Sequence, residues 1–175
     1  IADAWKNRRQ ELLESSHKIS EVLARLTGPT EKETLSSDML KAGFDYFRAT
    51  FDAANGGFGP APKFPQPTIL SMLLSYWHRT NDTQALQMVE KSLDAISKGG
   101  IYDHIGGGFH RYTTDGRWLV PHFEKMLYDQ ALLSKVYLQA YQVTGKEKYA
   151  VIAREIFDYV LRDMTDAEGG FYSAE

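Results

Sequence analysis

Three histidines, His104, His110 and His122, fall within 19 residues, in company with Tyr102, Asp103, Arg111, Tyr112, Asp115, Arg117 and Trp118. The stretch runs on into His122-Phe123-Glu124-Lys125-Met126-Leu127-Tyr128-Asp129. Imidazoles ordinarily titrate near neutrality, so two of them flanking a carbon acid can remove a proton on one face and return it on the other. That is the chemistry of epimerisation or isomerisation beside a carbonyl, and it needs a cation to hold the enolate oxygen. His122 with His110 or His104 are the candidate acid and base, and Arg111 or Lys125 the candidate oxyanion partner. Lys63, Tyr112, Trp118, Glu124, Tyr128 and Asp129 complete the candidate substrate-binding set, because aromatic faces with hydrogen-bonding edges suit sugars. Hydrolysis would instead require a carboxylate pair across a cavity, and Glu124 and Asp129 are expected on different faces of one helix.

The same residues have plainer readings. Glu124 can complement a helix dipole, Lys125 and Asp129 can form a solvated i,i+4 pair, and Asp103 and Asp115 suit turns and caps. No metal site is expected, since the histidines lack an H-x-x-x-H helix pair, and none of the residues implies a cofactor. With no cysteine in the chain, thiolate and CxxC chemistry are excluded within it.

Helices must carry these groups. Leu12, Ile19 and Leu26, with Val22 and Leu23, form a helical stripe that Thr27-Gly28-Pro29 stops. Leu40, Phe44, Phe47 and Phe51 follow the capping candidates Ser36 and Ser37. A third helix opens at Pro67-Thr68 and carries Ile69, Leu70, Leu73, Leu74 and Trp77. A fourth starts after Asn81-Asp82-Thr83, carries Leu86, Val89, Leu93 and Ile96, and ends at Gly99-Gly100. The fifth is expected from Pro121, placing His122, Lys125 and Asp129 on one face, Glu124 and Tyr128 on a second polar ridge, and Phe123, Met126 and Leu127 toward the core. The sixth holds Tyr149, Ile152, Ile156, Phe157, Val160 and Leu161. The expected fold is all-α, built of consecutive helical hairpins.

One turn recurs between them. Gly56-Gly57-Phe58, Gly107-Gly108-Phe109 and Gly169-Gly170-Phe171 each follow a helix, at spacings of 51 and 62 residues. Such spacing suits hairpins joined by a glycine-rich link whose phenylalanine is pinned to the core. All links should then share one rim of the array, with Phe58 and Phe109 buried. The first link, proline-rich from Gly59 to Pro67, presents Lys63 from a stiff mount. The second is long enough to hold a small β-hairpin, with residues 109–113 and 117–120 flanking Thr114-Asp115-Gly116.

The 175 residues carry 20 Lys+Arg against 23 Asp+Glu, a formal charge of -3 that offers no global pull toward nucleic acid or anionic membrane. The most apolar stretch, Ile69 to Trp77, is far too short to span a bilayer. A soluble, cytoplasmic domain is expected. The chain starts without a methionine and inside a helical pattern, so it reads as a piece of a longer protein.

Three segments carry a resemblance over nearly the whole chain: Gly56-Gly57-Phe58-Gly59-Pro60-Ala61-Pro62-Lys63-Phe64-Pro65, the run from Gly99-Gly100-Ile101-Tyr102-Asp103-His104 through Phe109-His110-Arg111-Tyr112, and Pro121-His122-Phe123-Glu124-Lys125-Met126-Leu127-Tyr128-Asp129. They resemble the thioredoxin-domain-containing, spermatogenesis-associated protein family, and Phe171-Tyr172-Ser173-Ala174-Glu175 fits as well. The resemblance implies a thioredoxin-like domain ahead of Ile1, residues 1–30 as a joint helix, and residues 31–175 as the first part of an (α/α)6 toroid similar to sugar 2-epimerases. It brings no catalytic role with it. Two functions follow: a carbohydrate epimerase or isomerase, or a non-catalytic binding scaffold for the fused thioredoxin-like domain. An enzyme should gather His104, His110 and His122 around an accessible cavity, whereas a scaffold should bury and saturate them. Half a toroid would also leave apolar edges open, so self-association is expected beside a possible carbohydrate ligand.

Overall fold

The computed structural model describes residues 2–27 and 36–175. The chain divides into two compact units, Ile1–Leu35 and Ser36–Glu175. In the first, α1 (Ala2–Asn7) and α2 (Arg9–Thr27) carry the predicted stripe, and Leu12, Ile19, Val22, Leu23 and Leu26 all stay exposed. Gly28 and Pro29, the expected stop, lie outside the described residues.

The second unit contains α3 (Ser37–Thr50), α4 (Pro67–Thr80), α5 (Thr83–Lys98), α6 (Leu127–Thr144) and α7 (Glu147–Asp163). Local chemistry sets their ends. The Ser36 side chain accepts from the Asp38 amide and that of Asp82 from the Gln84 amide, Pro67 occupies the first turn of α4, and Asn81 and Gly145 close α4 and α6 at positive φ. Helices α4 and α5 form one hairpin and α6 and α7 the next, with α4 packed on α6. Between them Leu70, Leu73, Val89, Leu93, Ile96, Leu133, Val136 and Ile156 are buried, and the Tyr137 hydroxyl donates to Leu93 O at 2.9 Å. The expected all-α hairpin array is therefore observed, and among the described residues no helix is long and apolar enough to cross a membrane.

The first two Gly-Gly-Phe links are one structure repeated, whereas the third shares the turn but leaves Phe171 58% exposed instead of pinned to the core. In the first, Asp52 N donates to Gly57 O, Gly56 N donates to Asp52 O, and the Asp52 carboxylate accepts from the Ala54 and Asn55 amides. The second repeats this with Asp103 to Gly108 O, Gly107 to Asp103 O, and Ile105 and Gly106 donating to the carboxylate. The third repeats it in shortened form around Asp166 and Gly170. The motif is thus Asp followed by Gly-Gly-Phe, and the aspartate, which organises the turn, is the part that the glycines alone did not reveal. Phe58 and Phe109 are both buried, and neighbouring links hydrogen-bond: Lys63 exchanges both backbone bonds with Thr113, and Lys125 does so with Glu175. The links share one rim, as the repeat requires.

Two expectations about the second link are corrected. Helix α6 begins at Leu127, not at Pro121, because the residues before it are extended. Pro121–His122 form β2, paired with β1 (Tyr112–Thr113), while the Lys125 and Leu127 amides donate to Glu175 O and Ser173 O. Strand pairing holds residues 121–125 extended, outside helical geometry, and only at Leu127 does the helix begin, its first-turn amide being free to donate to Ser173 O. His122, Lys125 and Asp129 therefore share no helical face, Glu124 and Tyr128 form no helical ridge, and Phe123 is 82% exposed instead of reaching the core. The hairpin also closes later than predicted. Asp115 gathers the Arg117, Leu119 and Val120 amides into a compact loop, so residues 117–120 are not its second strand.

Candidate functional site

The second link delivers its polar groups onto the first turn of α6. Gln130, fully buried, clasps Phe109 with both ends of its amide: the Phe109 amide donates to Oε1 at 2.9 Å, and Nε2 donates to Phe109 O at 2.7 Å. This fixes the path of His110 and Arg111. The Arg111 amide then donates to Glu124 O at 2.7 Å, and its guanidinium donates to the Glu124 carboxylate at 2.9 Å. His122 Nε2 lies 3.9 Å from the same carboxylate and stacks on Tyr112, ring centroids 4.8 Å apart. Tyr128 lies beside Arg111, and Asp129, in the first turn of α6, feels the Arg111 charge. Arg111, Tyr112, His122, Glu124, Tyr128 and Asp129 are therefore brought together.

Asp129 is the unusual member. It is 7% exposed, and its Oδ2 has no hydrogen-bond partner. Burial raises its carboxyl to about 6, with Arg111 opposing the shift. A folded-state value above the unfolded one means that the native protein holds this proton more tightly. The associated stability is complete below about pH 4 and is lost as pH rises through 6. Asp129→Asn should therefore be more stable than the parent above pH 6, by about 2 kcal/mol, with the difference vanishing near pH 4. Urea unfolding of both proteins from pH 4 to 8 measures it; a difference independent of pH would mean that the carboxyl ionises freely.

The other predicted residues are placed elsewhere. His110 is 9% exposed, set edge-on to Phe123, and its Nδ1 is unpartnered. Burial, then the charge of Lys125, push its imidazole below the ordinary value. His104 sits on the Asp103 turn with Nε2 3.0 Å from Gly99 O, against Tyr102, in a recess shared with Glu155 of α7. The three histidines thus meet neither expectation: they are neither gathered on one cavity nor all buried and saturated. Lys63 donates to Asp52 at 2.6 Å and to Gly116 O, with Nζ 5.1 Å from the Trp118 ring centre. Lys125 donates to Asp103 at 2.8 Å and to Gly107 O, over Tyr159 at 4.2 Å. The two lysines are the same device in successive links, and Trp118 is buried with its Nε1 donating to Asn55 O.

Sequence reasoning missed Phe123 and Phe64 as surface aromatics. Phe64 packs on Tyr112 at 4.8 Å, extending the Tyr112–His122 stack. Phe123 was hidden by the expectation of a helix from Pro121, and Phe64 lies in the proline-rich link, where no spacing signals which side chains face out. Among the described residues no group of histidine and acidic side chains could hold a metal ion.

Repeated helical hairpins with glycine-rich links on one rim define part of an (α/α)6 toroid. A sugar epimerase from a ruminal bacterium superposes with a TM-score of 0.68 over 90% of this chain and 40% of its own, at 17% identity. Cellobiose 2-epimerase from Bacillus thermoamylovorans gives 0.68 over 79% and 40%, at 13% identity. No family profile matches the chain. By sequence the chain belongs to the spermatogenesis-associated protein 20 family: the mouse protein of that name is 46% identical over 183 residues, covering 100% of this chain. The chain spans 23% of the length of that relative.

Proposed function

We propose that the rim over the first turn of α6 binds a carbohydrate and moves a proton on it, in the manner of an epimerase or isomerase. The observation that carries the reading is Asp129, a buried carboxyl raised to about 6 with one oxygen unmet, close enough to Arg111 to feel its charge. A carboxyl with such a value can give or take a proton near neutrality, and the exposed part of the Arg111 guanidinium, shared with Glu124, is the cation that would face a developing enolate oxygen. His122, half-exposed and next to Glu124, is the second proton-transfer group, with His110 behind it and His104 outside the cluster. Tyr112 and Tyr128 flank the sugar. Lys63, Trp118 and Lys125 act by holding the links that present these groups. The fold shared with sugar epimerases supports the substrate class.

The alternative is a non-catalytic scaffold for a thioredoxin-like domain joined through residues 1–30. The committed lysines favour it, but a purely structural Asp129 would be expected to have both oxygens partnered. A panel of neutral sugars offered to the intact protein in D2O, with deuterium at the exchanging carbon read by NMR, tests the reading. His122→Ala should cost less than about 1 kcal/mol of stability, being a surface stack, yet slow exchange by about 100-fold or more. A large loss of stability with exchange intact would make His122 structural.

A further inference from the structure

We infer that Asn55–Gly56 in the first link is a latent self-modification site, at which the asparagine side chain cyclises onto the next amide, and that the folded link holds it closed. The chain contains no other Asn-Gly step: Asn7 precedes Arg8 and Asn81 precedes Asp82. In such a step no side chain shields the glycine amide, so once the backbone is free its nitrogen can reach the asparagine amide carbon. A bond then forms between Gly56 N and Asn55 Cγ, and the bond from Cγ to Nδ2 breaks. Nδ2 leaves as ammonia, taking up the hydrogen that Gly56 N gives up. Water opens the resulting cyclic imide, at one carbonyl to aspartate and at the other to isoaspartate.

Hydrogen bonds on both sides oppose the first step in the folded link. Gly56 N–H donates to Asp52 O at 2.8 Å, so the attacking nitrogen is committed. The Asn55 amide donates to Asp52 Oδ1 at 2.9 Å, and Nδ2 donates to Oδ2 at 3.0 Å, so one carboxylate holds both the backbone and the leaving group. From the other side Trp118 Nε1 donates to Asn55 O at 2.9 Å. Gly56, at φ of +71°, packs so closely on α5 that a Cβ there would meet Lys91 O at 2.9 Å, and it cannot swing toward Cγ while the link stays seated on that helix. Gly106 and Glu168 take the place of Asn55 in the other links, so the reaction belongs to the first link alone. Once it has reacted, the link cannot close as before. Aspartate would set a carboxylate against Asp52 where Nδ2 now donates, and isoaspartate would route the main chain through an extra carbon. The modification thereby makes opening of the first link one-way.

The test is incubation of the intact protein in mildly alkaline buffer, with and without urea, followed by peptide mass spectrometry and an enzymatic assay for isoaspartate. Asn55 should convert more slowly in the folded protein than in urea, by about tenfold or more, and in urea it should outpace Asn7 and Asn81. The double variant Asp52→Ala with Lys63→Met removes the carboxylate and leaves no buried charge unpaired. Shown to be folded by circular dichroism, it should convert about tenfold faster than the parent in buffer. Equal rates in buffer and urea, absence of conversion in urea, or no gain in the folded double variant would overturn the inference. The comparison of buffer with urea needs only the unaltered protein, so it stays decisive even if the variant fails to fold.

Discussion

Replacing Lys63 by methionine should destabilise the Ser36–Glu175 unit by about 3–5 kcal/mol, although the substitution keeps the length and apolar stem of the side chain. Lys63 is only 1% exposed, and its ammonium is the partner of Asp52. Burial by itself would raise the Asp52 carboxyl. Hydrogen bonds from Lys63 and from the Asn55 amide and side chain more than reverse this and hold it well below the usual carboxylate range. Without the lysine, a partly buried carboxylate that organises the first link is left uncompensated. The pH dependence separates this cause from lost packing. A carboxyl depressed in the folded state contributes stability that is present above its unfolded value near 4 and lost as pH falls below it. The deficit of Lys63→Met should therefore be full at pH 7 and shrink toward pH 3, and Asp52→Asn should recover part of it at neutral pH. Urea unfolding of the two single variants and the double variant gives the coupling directly. A deficit that is constant with pH, with no coupling, would assign the loss to packing alone.

Gly57→Ala should cost about 2–4 kcal/mol, while Gly59→Ala, two residues on, should cost only about 1 kcal/mol. Both glycines have φ of +75°, where a side chain is strained. They differ in what a Cβ would meet. At Gly57 it would overlap the buried Trp118 ring and press on Lys63 Cε at 3.1 Å, whereas at Gly59 nothing lies within 4 Å. Trp118 cannot easily yield, since its Nε1 donates to Asn55 O and its backbone lies against Gly99. Thermal unfolding of the pair checks this, and equal losses would show that the backbone conformation, not the approach of Trp118, makes the glycine necessary. Gly108 stands in the same relation to the Tyr159 ring, 2.6 Å from its would-be Cβ, so the two links share this device as they share the lysine.

The helices were legible in the sequence because their signals are local. The apolar spacing of Leu70, Leu73, Leu74 and of Val89, Leu93, Ile96 fixes which faces are buried, and Pro67, Asp82 and Gly145 mark the boundaries through backbone chemistry that acts within one turn. The repeated Gly-Gly-Phe was equally readable, as was the crowding of polar groups in the second link. The start of α6 was not. Whether residues 121–126 coil or extend depends on partners 10 and 50 residues away, Tyr112 for His122 and Glu175 for Lys125, and no local preference of Pro121 reports a strand that arrives from another link. The same long-range pairing decided the site. It took Lys63 and Lys125 out of reach by burying them on aspartates, left Phe123 at the surface, and set His104 apart from His122. It also buried Asp129 with an oxygen unmet, within reach of the Arg111 charge. Residue types and spacing named the groups; the tertiary contacts, by fixing which charges are compensated and which buried groups lack a partner, decided which of them remain free for chemistry.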